Sequence, residues 1–346
     1  MTHPTPHPAD DTQTDADAHD PHAVTLAADA DGLSAEQLEA ALQALPAAAM
    51  DVPEDYRCGF VAIVGRPNVG KSTLMNHLIG QKISITSKKA QTTRHRVTGI
   101  QTTAKAQYIF VDTPGFQTRH RNALNEALNR SVKESLSDVD CVLFVLEAGR
   151  LSDADREVIA LLPAHRPVIL VVNKADRVKD KADMANFLLK ASAEFNFAEI
   201  VSVSAKHGHR MDLLLNVVEP HLPHSVPLYP EDMVTDKNER FLAAELVREK
   251  LFRYLGEELP YSMNVEIEKF EIEGNLRRIY AAVLVDKAGQ KAILIGRDGE
   301  RMKKIATEAR TDMEKLFNSK VFLEVWVKVK SGWADDVRFL KQFNLD

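Results

Sequence analysis

Residues 65–72 read Gly65-Arg66-Pro67-Asn68-Val69-Gly70-Lys71-Ser72 and match the pattern G-x-x-x-x-G-K-[ST], which is typical of a loop that binds phosphate groups. The apolar run 60–64 before it predicts a buried parallel strand, and residues 73–79 after it have apolar positions at helical spacing. Glycine is needed here because the chain must turn tightly while its N–H groups point at phosphate oxygens. The positive end of the following helix dipole adds to that attraction. The sequence therefore predicts a nucleoside triphosphate site at this junction.

Three residues at the start of the predicted helix have assigned roles in such a site. Lys71 is expected to reach the outer phosphates, and the Ser72 hydroxyl is expected to ligate Mg²⁺. Thr73 follows directly, and we include it among the nucleotide-binding residues.

Length and charge separate an acidic start from a mildly basic remainder. At 346 residues the chain is long enough for about two domains, each with its own core. Its net charge is −6, yet residues 1–56 hold twelve Asp or Glu and no Lys or Arg, so the remainder has an excess of six positive charges. The first residues bury too little apolar surface to offset the entropy lost on ordering. We therefore expect residues 1–55 to be a disordered acidic tail.

Cysteine content and apolar runs indicate the compartment. Cys58 and Cys141 are the two cysteines, and their spacing does not suit a metal, so we expect two reduced, buried thiols. Apolar runs such as 168–172 are too short to span a bilayer, and no secretory signal is visible. We expect a cytoplasmic protein.

Strands and helices alternate between residues 57 and 221. Apolar runs predict strands at 60–64, 96–103, 107–111, 141–146, 168–172 and 200–203. This alternation is typical of a doubly wound, mostly parallel α/β sheet that binds ligands at the carboxyl ends of its strands. We assign residues 56–222 to this domain. Four prolines between 220 and 230 predict a stiff linker at 223–238, and a second domain follows at 239–346.

A second polar segment, Asp112-Thr113-Pro114-Gly115, follows the strand predicted at 107–111. A carboxylate there can hold Mg²⁺ through water, and the Gly115 N–H can contact a terminal phosphate. Asp, Pro and Gly also favour ordinary turns at strand ends. Because this is a second match in the expected order, we favour the functional interpretation.

Base recognition is predicted from Asn173-Lys174-Ala175-Asp176, which follows the strand at 168–172. The Asp176 carboxylate can accept two hydrogen bonds from the adjacent donors of guanine, a pair that adenine lacks. A site of this kind rejects analogues by roughly 10⁴-fold, because buried partners are left unpaired. Lys174 is expected to lie along the base plane. Ser204-Ala205-Lys206 follows the strand at 200–203 and places the Ala205 N–H to meet the guanine carbonyl oxygen.

These segments, with Gln91-Thr92-Thr93-Arg94 between the first two, resemble the five ordered motifs of translation-factor-related GTPases. The resemblance implies a switch threonine that ligates Mg²⁺ only when the terminal phosphate is present. Thr93 matches best, and Thr92 is the alternative. Phosphate would order that loop and hydrolysis would release it. The catalytic residues implied are Lys71, Thr93, Asp112 and Gly115.

Phe116 occupies a position where many regulatory GTPases carry a glutamine that positions the attacking water. A phenyl ring cannot orient water. The sequence is similar here to a subgroup with a hydrophobic replacement, which includes potassium-assisted GTPases with an Asn in the phosphate loop, here Asn68. The resemblance implies slow hydrolysis that a partner or K⁺ stimulates.

The second domain contains a glycine loop between two predicted helices. A helix over 241–255 precedes strands near 262–272 and 277–286, and a helix, G-x-x-G at 296–299, a helix and a strand at 321–329 follow. This α-β-β-α-α-β order resembles a K-homology (KH) domain of the bacterial type II, whose loop clamps about four single-stranded nucleotides. Residues 286–304 hold six Lys or Arg against three acids, which suits phosphate groups. The RNA-binding residues implied are Ile295, Gly296, Arg297, Asp298, Gly299, Arg301, Lys303 and Lys304.

Three further segments, at 90–96, 261–268 and 326–336, resemble Era-type GTPases, and the likeness extends over residues 57–346. It implies a monomer that binds GTP, GDP and Mg²⁺, binds the 3′ end of 16S ribosomal RNA, and serves in assembly of the small ribosomal subunit.

The alternative is a GTPase whose second domain docks on a protein or membrane surface. Era-type GTPases are described as loosely associated with the inner face of the cell membrane. However, residues 231–346 carry 21 basic and 22 acidic residues, a poor patch for a membrane. A metabolic kinase is disfavoured, because an acceptor-site motif is lacking and Asp176 favours guanine.

Overall fold

The computed structural model describes residues 52–87, 89, 96–112, 136, 138–256 and 263–331. Six strands form the first sheet: β1 (Arg57–Val64), β2 (Val97–Thr102), β3 (Ala106–Asp112), β4 (Cys141–Glu147), β5 (Val168–Asn173) and β6 (Glu199–Ser202). Their order is β2-β3-β1-β4-β5-β6, with β2 antiparallel to β3 and the other neighbours parallel. The predicted strands agree with these bounds within three residues, and the predicted mostly parallel α/β sheet is confirmed.

Helices cover both faces of this sheet. They are α1 (Lys71–Ile79), α2 (Asp153–Ile159), α3 (Lys181–Ser192) and α4 (Met211–Val218), with short 3₁₀ turns at Ala175–Arg177, Ala205–His207 and Glu219–His221. Successive strand residues face opposite sides, so Val61 of β1 packs in a core with α1 and α4, while Ala62 packs in a core with α2 and α3. This two-sided burial explains why the parallel strands are continuous apolar runs.

The carboxyl ends of the parallel strands bring their polar residues to one edge. The phosphate loop (residues 65–72) follows β1, while β3 ends in Asp112, β4 in Glu147 and β5 in Asn173. Glu147 and Asn173 are register partners in neighbouring strands. Open α/β sheets bind ligands at this edge.

The proline-rich segment 223–238 packs along the sheet rather than acting as a free spacer. The buried Gln107 side chain donates to Tyr229 O (2.8 Å) and accepts from the N–H groups of Leu228 (2.8 Å) and Tyr229 (2.9 Å). Thr235 Oγ1 donates to Thr98 O (2.7 Å) on the edge strand β2. Hydrogen-bonding groups of β2 and β3 thus hold this segment against the sheet, and its assignment as a linker at 223–238 stays a prediction.

The second domain has a three-stranded sheet with its helices packed on one face. Its elements are α5 (Glu239–Tyr254), β7 (Met263–Glu273), β8 (Leu276–Val285), α6 (Ala288–Ile295), α7 (Glu300–Phe317) and β9 (Lys320–Val329). The strand order is β7-β8-β9, with β7 antiparallel and β9 parallel to β8. Leu246 of α5, Ile305 of α7 and Val283 of β8 share one core. The predicted α-β-β-α-α-β order is therefore confirmed. Within the described ranges, the helices are too short or too polar to cross a membrane.

An ion-pair cluster joins the two domains, which belong to one compact unit, Val52–Asp346. Lys82, in the loop after α1, lies 2.5 Å from Glu249 Oε2 of α5 and 2.9 Å from Asp312 Oδ2 of α7. Lys250 of α5 pairs with the same carboxylate of Asp312. We call these four residues the interdomain cluster.

Candidate functional site

The phosphate loop has a backbone that its glycines make possible. Gly70 has φ of 102°, which side chains rarely tolerate, and a Cβ there would lie 2.4 Å from Asn173 Nδ2. A Cβ at Gly65 would lie 2.5 Å from Val145 O. Asn68 also has positive φ, at 66°, which Asn adopts more readily than most residues. The ends of β4 and β5 thus approach the loop too closely for any other residue at 65 and 70.

Lys71 folds back over this loop. Its buried Nζ donates to Gly65 O (2.9 Å) and Arg66 O (3.2 Å). Burial lowers the pKa of Lys71 to about 8, against the opposing attraction of Asp112. Phosphate oxygens placed in the loop would supply the negative charge that favours the protonated form.

Asp112 accepts hydrogen bonds from two serine hydroxyl groups. Ser72 Oγ donates to Asp112 Oδ2 at 2.9 Å, and Ser84 Oγ donates to the same oxygen at 2.8 Å. Asn76 holds the Ser84 backbone by accepting from its N–H (2.9 Å) and donating to its carbonyl (2.7 Å). A hydroxyl and a carboxylate are hard oxygen donors, so the set Ser72 with Asp112 fits Mg²⁺. Sequence reasoning missed Ser84, because a serine in an ordinary loop carries no signal.

Asn173 connects the phosphate loop to Lys174 and Ala205, which belong to the two segments where the base is expected, 173–176 and 204–206. We call these two segments the base-side wall. Its Nδ2 donates to Val69 O (2.8 Å), and its Oδ1 accepts from the N–H groups of Lys174 (2.7 Å) and Ala205 (2.9 Å). The structure differs here from the expectation that the Ala205 N–H is held ready for guanine. Asn173 already occupies that donor, so a base oxygen would have to share or replace the bond.

Asp176 lies at the mouth of this wall with its carboxylate about one-third exposed. Ser204 Oγ donates to Asp176 Oδ1 at 2.5 Å, and this hydrogen bond lowers the pKa of Asp176. His207 Nε2 lies 4.0 Å from the other oxygen. Asp176 is therefore ionised at neutral pH and can accept hydrogen bonds. Lys206 beside it is exposed.

Arg66 is directed at carboxylates rather than into the phosphate loop. Its Nη2 lies 3.1 Å from Glu147 Oε2, and its Nε lies 3.0 Å from Asp155 Oδ1. Asp155 is fully buried and also accepts from the N–H (2.9 Å) and Oγ (2.6 Å) of Ser152 at the start of α2. The Arg66 guanidinium is therefore engaged by carboxylates and is not free for the expected phosphates.

Glu147 binds Lys174 as well as Arg66. Lys174 Nζ lies 3.0 Å from Glu147 Oε2 and donates to Asn68 O at 2.7 Å. Burial acts to raise the pKa of Glu147, but the hydrogen bonds from Lys174 and Arg66 leave that pKa below its ordinary value. Sequence reasoning missed Glu147 and Asp155. The signal for Glu147 was present, since it ends a buried strand as Asp112 and Asn173 do.

The remaining residues of the predicted nucleotide site have these positions. Val69 is buried, and Pro67 and Thr73 are half-buried beside it. The predicted residues Thr92, Thr93, Thr113, Pro114, Gly115 and Phe116 lie outside the described residues, as does the acidic tail to residue 51.

The G-x-x-G loop joins α6 to α7 through a tight turn. Gly296 and Gly299 both have φ of 76°, and Asp298 has φ of 52°. A Cβ at Gly296 would lie 2.8 Å from Arg301 Cβ, so the loop backbone and the start of α7 are in close contact. The Arg297 and Asp298 side chains are 95% and 87% exposed, which leaves the loop tip open to a ligand.

The predicted residues flanking this loop have mixed surroundings. Ile295 packs against the domain core, and Lys303 is exposed. Arg301 donates to Ile293 O, and Lys304 Nζ lies 4.7 Å from the centre of the Tyr254 ring. All four of these cations, Arg297, Arg301, Lys303 and Lys304, are exposed, and the Arg301 and Lys304 side chains are engaged by Ile293 O and the Tyr254 ring.

The sheet domain with its phosphate loop and the helix–G-x-x-G–helix domain define a class, a P-loop GTPase followed by a KH domain. The family model described as "50S ribosome-binding GTPase" matches residues 60–174, and that described as "KH domain" matches residues 258–334. This chain is 74% identical over 291 residues to the GTPase Era of Chromobacterium violaceum, covering 84% of this chain and 98% of that protein. The chain belongs to the Era family of GTPases, whose reaction is the hydrolysis of GTP.

Two solved structures are similar over both domains. One is an Aquifex aeolicus Era variant bound to GDP and AlF4⁻, with a TM-score of 0.80 and 38% identity, covering 84% of this chain and 99% of that one. The other is Era in complex with MgGDPNP and nucleotides 1506–1542 of 16S ribosomal RNA, with a TM-score of 0.80, 37% identity and the same coverage.

Proposed function

We propose that this chain is a GTP-dependent switch that binds the 3′ end of 16S ribosomal RNA and assists maturation of the small ribosomal subunit. One observation carries the proposal. The Era structure solved with MgGDPNP and 16S ribosomal RNA matches 84% of this chain, which is more than either domain provides alone. The likeness therefore includes the nucleotide edge and the glycine loop together.

The proposed nucleotide site extends across the edge formed by the strand ends. The backbone of residues 65–73 and Lys71 hold the phosphates, while Lys174, Asp176 and residues 204–206 hold guanine. Ser72 and Asp112 hold Mg²⁺, with Thr93 as the proposed third ligand. When bound, Mg²⁺ neutralises charge that develops on the phosphates. We keep the proposed boundaries 56–222, 223–238 and 239–346.

We also propose that the chain hydrolyses GTP slowly by itself and that K⁺ or a partner raises the rate. Asn68 supports the K⁺ part, because it is exposed in the phosphate loop, and Phe116 supports the slow intrinsic rate, because a phenyl ring cannot orient water. Turnover should be faster in potassium than in sodium at equal ionic strength, and Asn68→Ala should remove the difference. A variant that keeps the full difference would take Asn68 out of the ion site.

RNA binding is assigned to the glycine loop because backbone and charge there suit phosphates. Both glycines have left-handed φ, and α7 begins at Glu300 directly after them, so its N-terminus faces the loop. Arg297 supports phosphate binding, whereas Asp298 opposes it. Single charges at an exposed loop change affinity by less than about 1 kcal/mol. Asp298 should therefore weaken binding without abolishing it.

RNA affinity at several salt concentrations tests this assignment. Asp298→Lys should tighten binding to many single-stranded RNAs, and steepen the log–log salt slope by about 0.7 if one phosphate contact forms. Gly296→Asp combined with Gly299→Asp should abolish RNA binding while GTP binding survives, because bulk and charge block the approach of the RNA backbone. If this double variant binds the 16S 3′ end as wild type does, the loop is only a turn.

That last result would favour the alternative, in which the second domain docks on a protein or membrane surface. We propose a monomeric, cytoplasmic protein. Sedimentation of the purified chain with and without anionic vesicles tests both statements, and co-sedimentation with the vesicles would restore the membrane alternative.

A further inference from the structure

Glu147 holds three cations from two different segments of the nucleotide edge. Its Oε2 lies 3.1 Å from Arg66 Nη2 of the phosphate loop and 3.0 Å from Lys174 Nζ of the base-side wall. Its Oε1 lies 2.9 Å from Arg177 Nη1. One oxygen thus connects the segment expected to hold phosphates with the segment expected to hold guanine.

The pairs of Glu147 with Arg66 and Lys174 are largely removed from water, whereas Arg177 is 64% exposed. The side chains of Arg66 and Glu147 are 10% and 15% exposed, and that of Lys174 is 22% exposed. Exposed ion pairs contribute little, but removing one partner of a shielded pair leaves an uncompensated charge. The loss of Glu147 would also leave Arg66 and Lys174 close together with like charges.

The direction of the Lys174 side chain depends on this carboxylate. Lys174 has φ of 61°, and its ammonium is held between Asn68 O at 2.7 Å and Glu147 Oε2 at 3.0 Å. Two fixed acceptors define where the end of the side chain lies, and hence the line of its aliphatic stem. With one acceptor removed, the four-carbon stem regains its rotamer freedom.

The phosphate loop depends on the same carboxylate through Arg66. Asp155 holds the guanidinium from the side of α2, and Glu147 holds it from the end of β4. The Arg66 carbonyl in turn accepts from Lys71 Nζ at 3.2 Å. A shift of Arg66 would therefore move an anchor of the phosphate-binding lysine.

We propose that Glu147 is a positioning residue of the guanine nucleotide site, which aligns Lys174 for the base and Arg66 for the phosphate loop with a single carboxylate. This inference depends on the proposed assignment of Lys174 and Asp176 to guanine. Glu147 itself does not touch the nucleotide. It acts through the two cations.

Removal of the charge should weaken binding uniformly. Base contacts through Lys174 are the same before and during hydrolysis, so their loss raises KM and leaves kcat unchanged, whereas displacement of Lys71 through Arg66 would lower kcat as well. Glu147→Gln keeps the side-chain size, and the Kd for GDP and for GTP should each rise about tenfold, as expected for the loss of hydrogen bonds to a charged group. Glu147→Asp keeps the charge, and its Kd for each nucleotide should lie between those of wild type and Glu147→Gln.

Direct titration of GDP and of a non-hydrolysable GTP analogue, with steady-state kinetics on the full chain, provides the test. Glu194→Gln is the control, because Glu194 also accepts hydrogen bonds from an arginine, Arg156, but in a pair that is more exposed to solvent. This control should bind both nucleotides as wild type does. General damage to the fold would lower the active fraction at unchanged KM, which separates it from a positioning effect.

A double-mutant cycle with Lys174→Met identifies the route. Because the part that acts through Lys174 is already lost in Lys174→Met, Glu147→Gln should weaken that variant less than it weakens wild type, by the part that acts through Arg66. Additive losses, or unchanged Kd in a folded Glu147→Gln, would overturn the inference. The proposed function would fail differently, since wild type itself would then not prefer guanine nucleotides to ATP.

Discussion

Asp176 has at residue scale the properties that a guanine-reading carboxylate needs. Ser204 holds one oxygen and keeps the pKa of the group low, while a third of the side chain stays exposed to a base. Asp176→Asn should lower GTP affinity by roughly 100-fold, because each lost hydrogen bond to a charged group costs about 1.5–3 kcal/mol. The variant should favour xanthosine triphosphate, whose donor pattern is partly reversed.

Competitive nucleotide titration measures both effects. Ser204→Ala is the matched control, since it removes the hydroxyl that orients the carboxylate and leaves the charge in place. Ser204→Ala should lower the affinity for GTP but keep the preference for GTP over xanthosine triphosphate. Equal GTP affinity of Asp176→Asn and wild type would place the carboxylate outside the base site.

Two aspartates at helix N-termini, Asp180 of α3 and Asp155 of α2, differ in burial and in their further contacts. Asp180 caps α3 in solvent by accepting from the N–H groups of Ala182 (2.6 Å) and Asp183 (3.3 Å). Asp155, in the first turn of α2, is fully buried and also pairs with Arg66. Asp180→Ala should lower the free energy of unfolding by about 1 kcal/mol, the usual value for a cap. Asp155→Ala should cost about 3–5 kcal/mol, because it leaves the shielded Arg66 without one of its carboxylates.

Urea unfolding followed by far-UV circular dichroism compares the two variants. Asp180→Ala should keep wild-type nucleotide affinity, whereas Asp155→Ala should weaken it, since only Asp155 contacts the phosphate loop. Equal losses of stability would show that burial and Arg66 add nothing to the capping role of Asp155.

The interdomain cluster sets a pH dependence at the scale of the whole molecule. Burial acts to raise the pKa of Asp312, but hydrogen bonds from Lys250 and Lys82 outweigh it and hold the pKa below its ordinary value. A carboxyl group with a lowered folded-state pKa stabilises the protein above its unfolded-state pKa of about 3.9. That contribution is lost as the pH falls through the folded-state pKa.

Asp312→Asn should therefore lower the free energy of unfolding by about 1–3 kcal/mol at pH 7, as expected for hydrogen bonds to a charged group. Its difference from wild type should shrink as the pH falls below about 4. Thermal unfolding between pH 3 and pH 7 measures the difference. Combination with Lys82→Met should give less than the sum of the two effects, because both changes break one shared contact. A difference that stays constant with pH would contradict the role of the charge.

Local sequence patterns are sufficient to predict the helices and strands and the order of the nucleotide segments. Strand, glycine loop and helix at residues 60–79 are local patterns, and local sterics and periodicity decide them. Asp112 and Asn173 were found because each ends a buried strand inside a recognisable segment. The α-β-β-α-α-β order of the second domain was visible for the same reason.

Tertiary structure alone decided which of these groups meet. Arg66 and Glu147 are 81 residues apart in sequence, Ser84 and Asp112 are 28 apart, and Lys82 and Asp312 are 230 apart. A lone Glu147 at a strand end predicts no partner, because its partners depend on β4 lying between β1 and β5. The prolines likewise predict a stiff segment but not its packing, which depends on the buried Gln107. Composition and periodicity carry local preferences, whereas hydrogen bonds and ion pairs form wherever the folded chain brings donor and acceptor within about 3 Å.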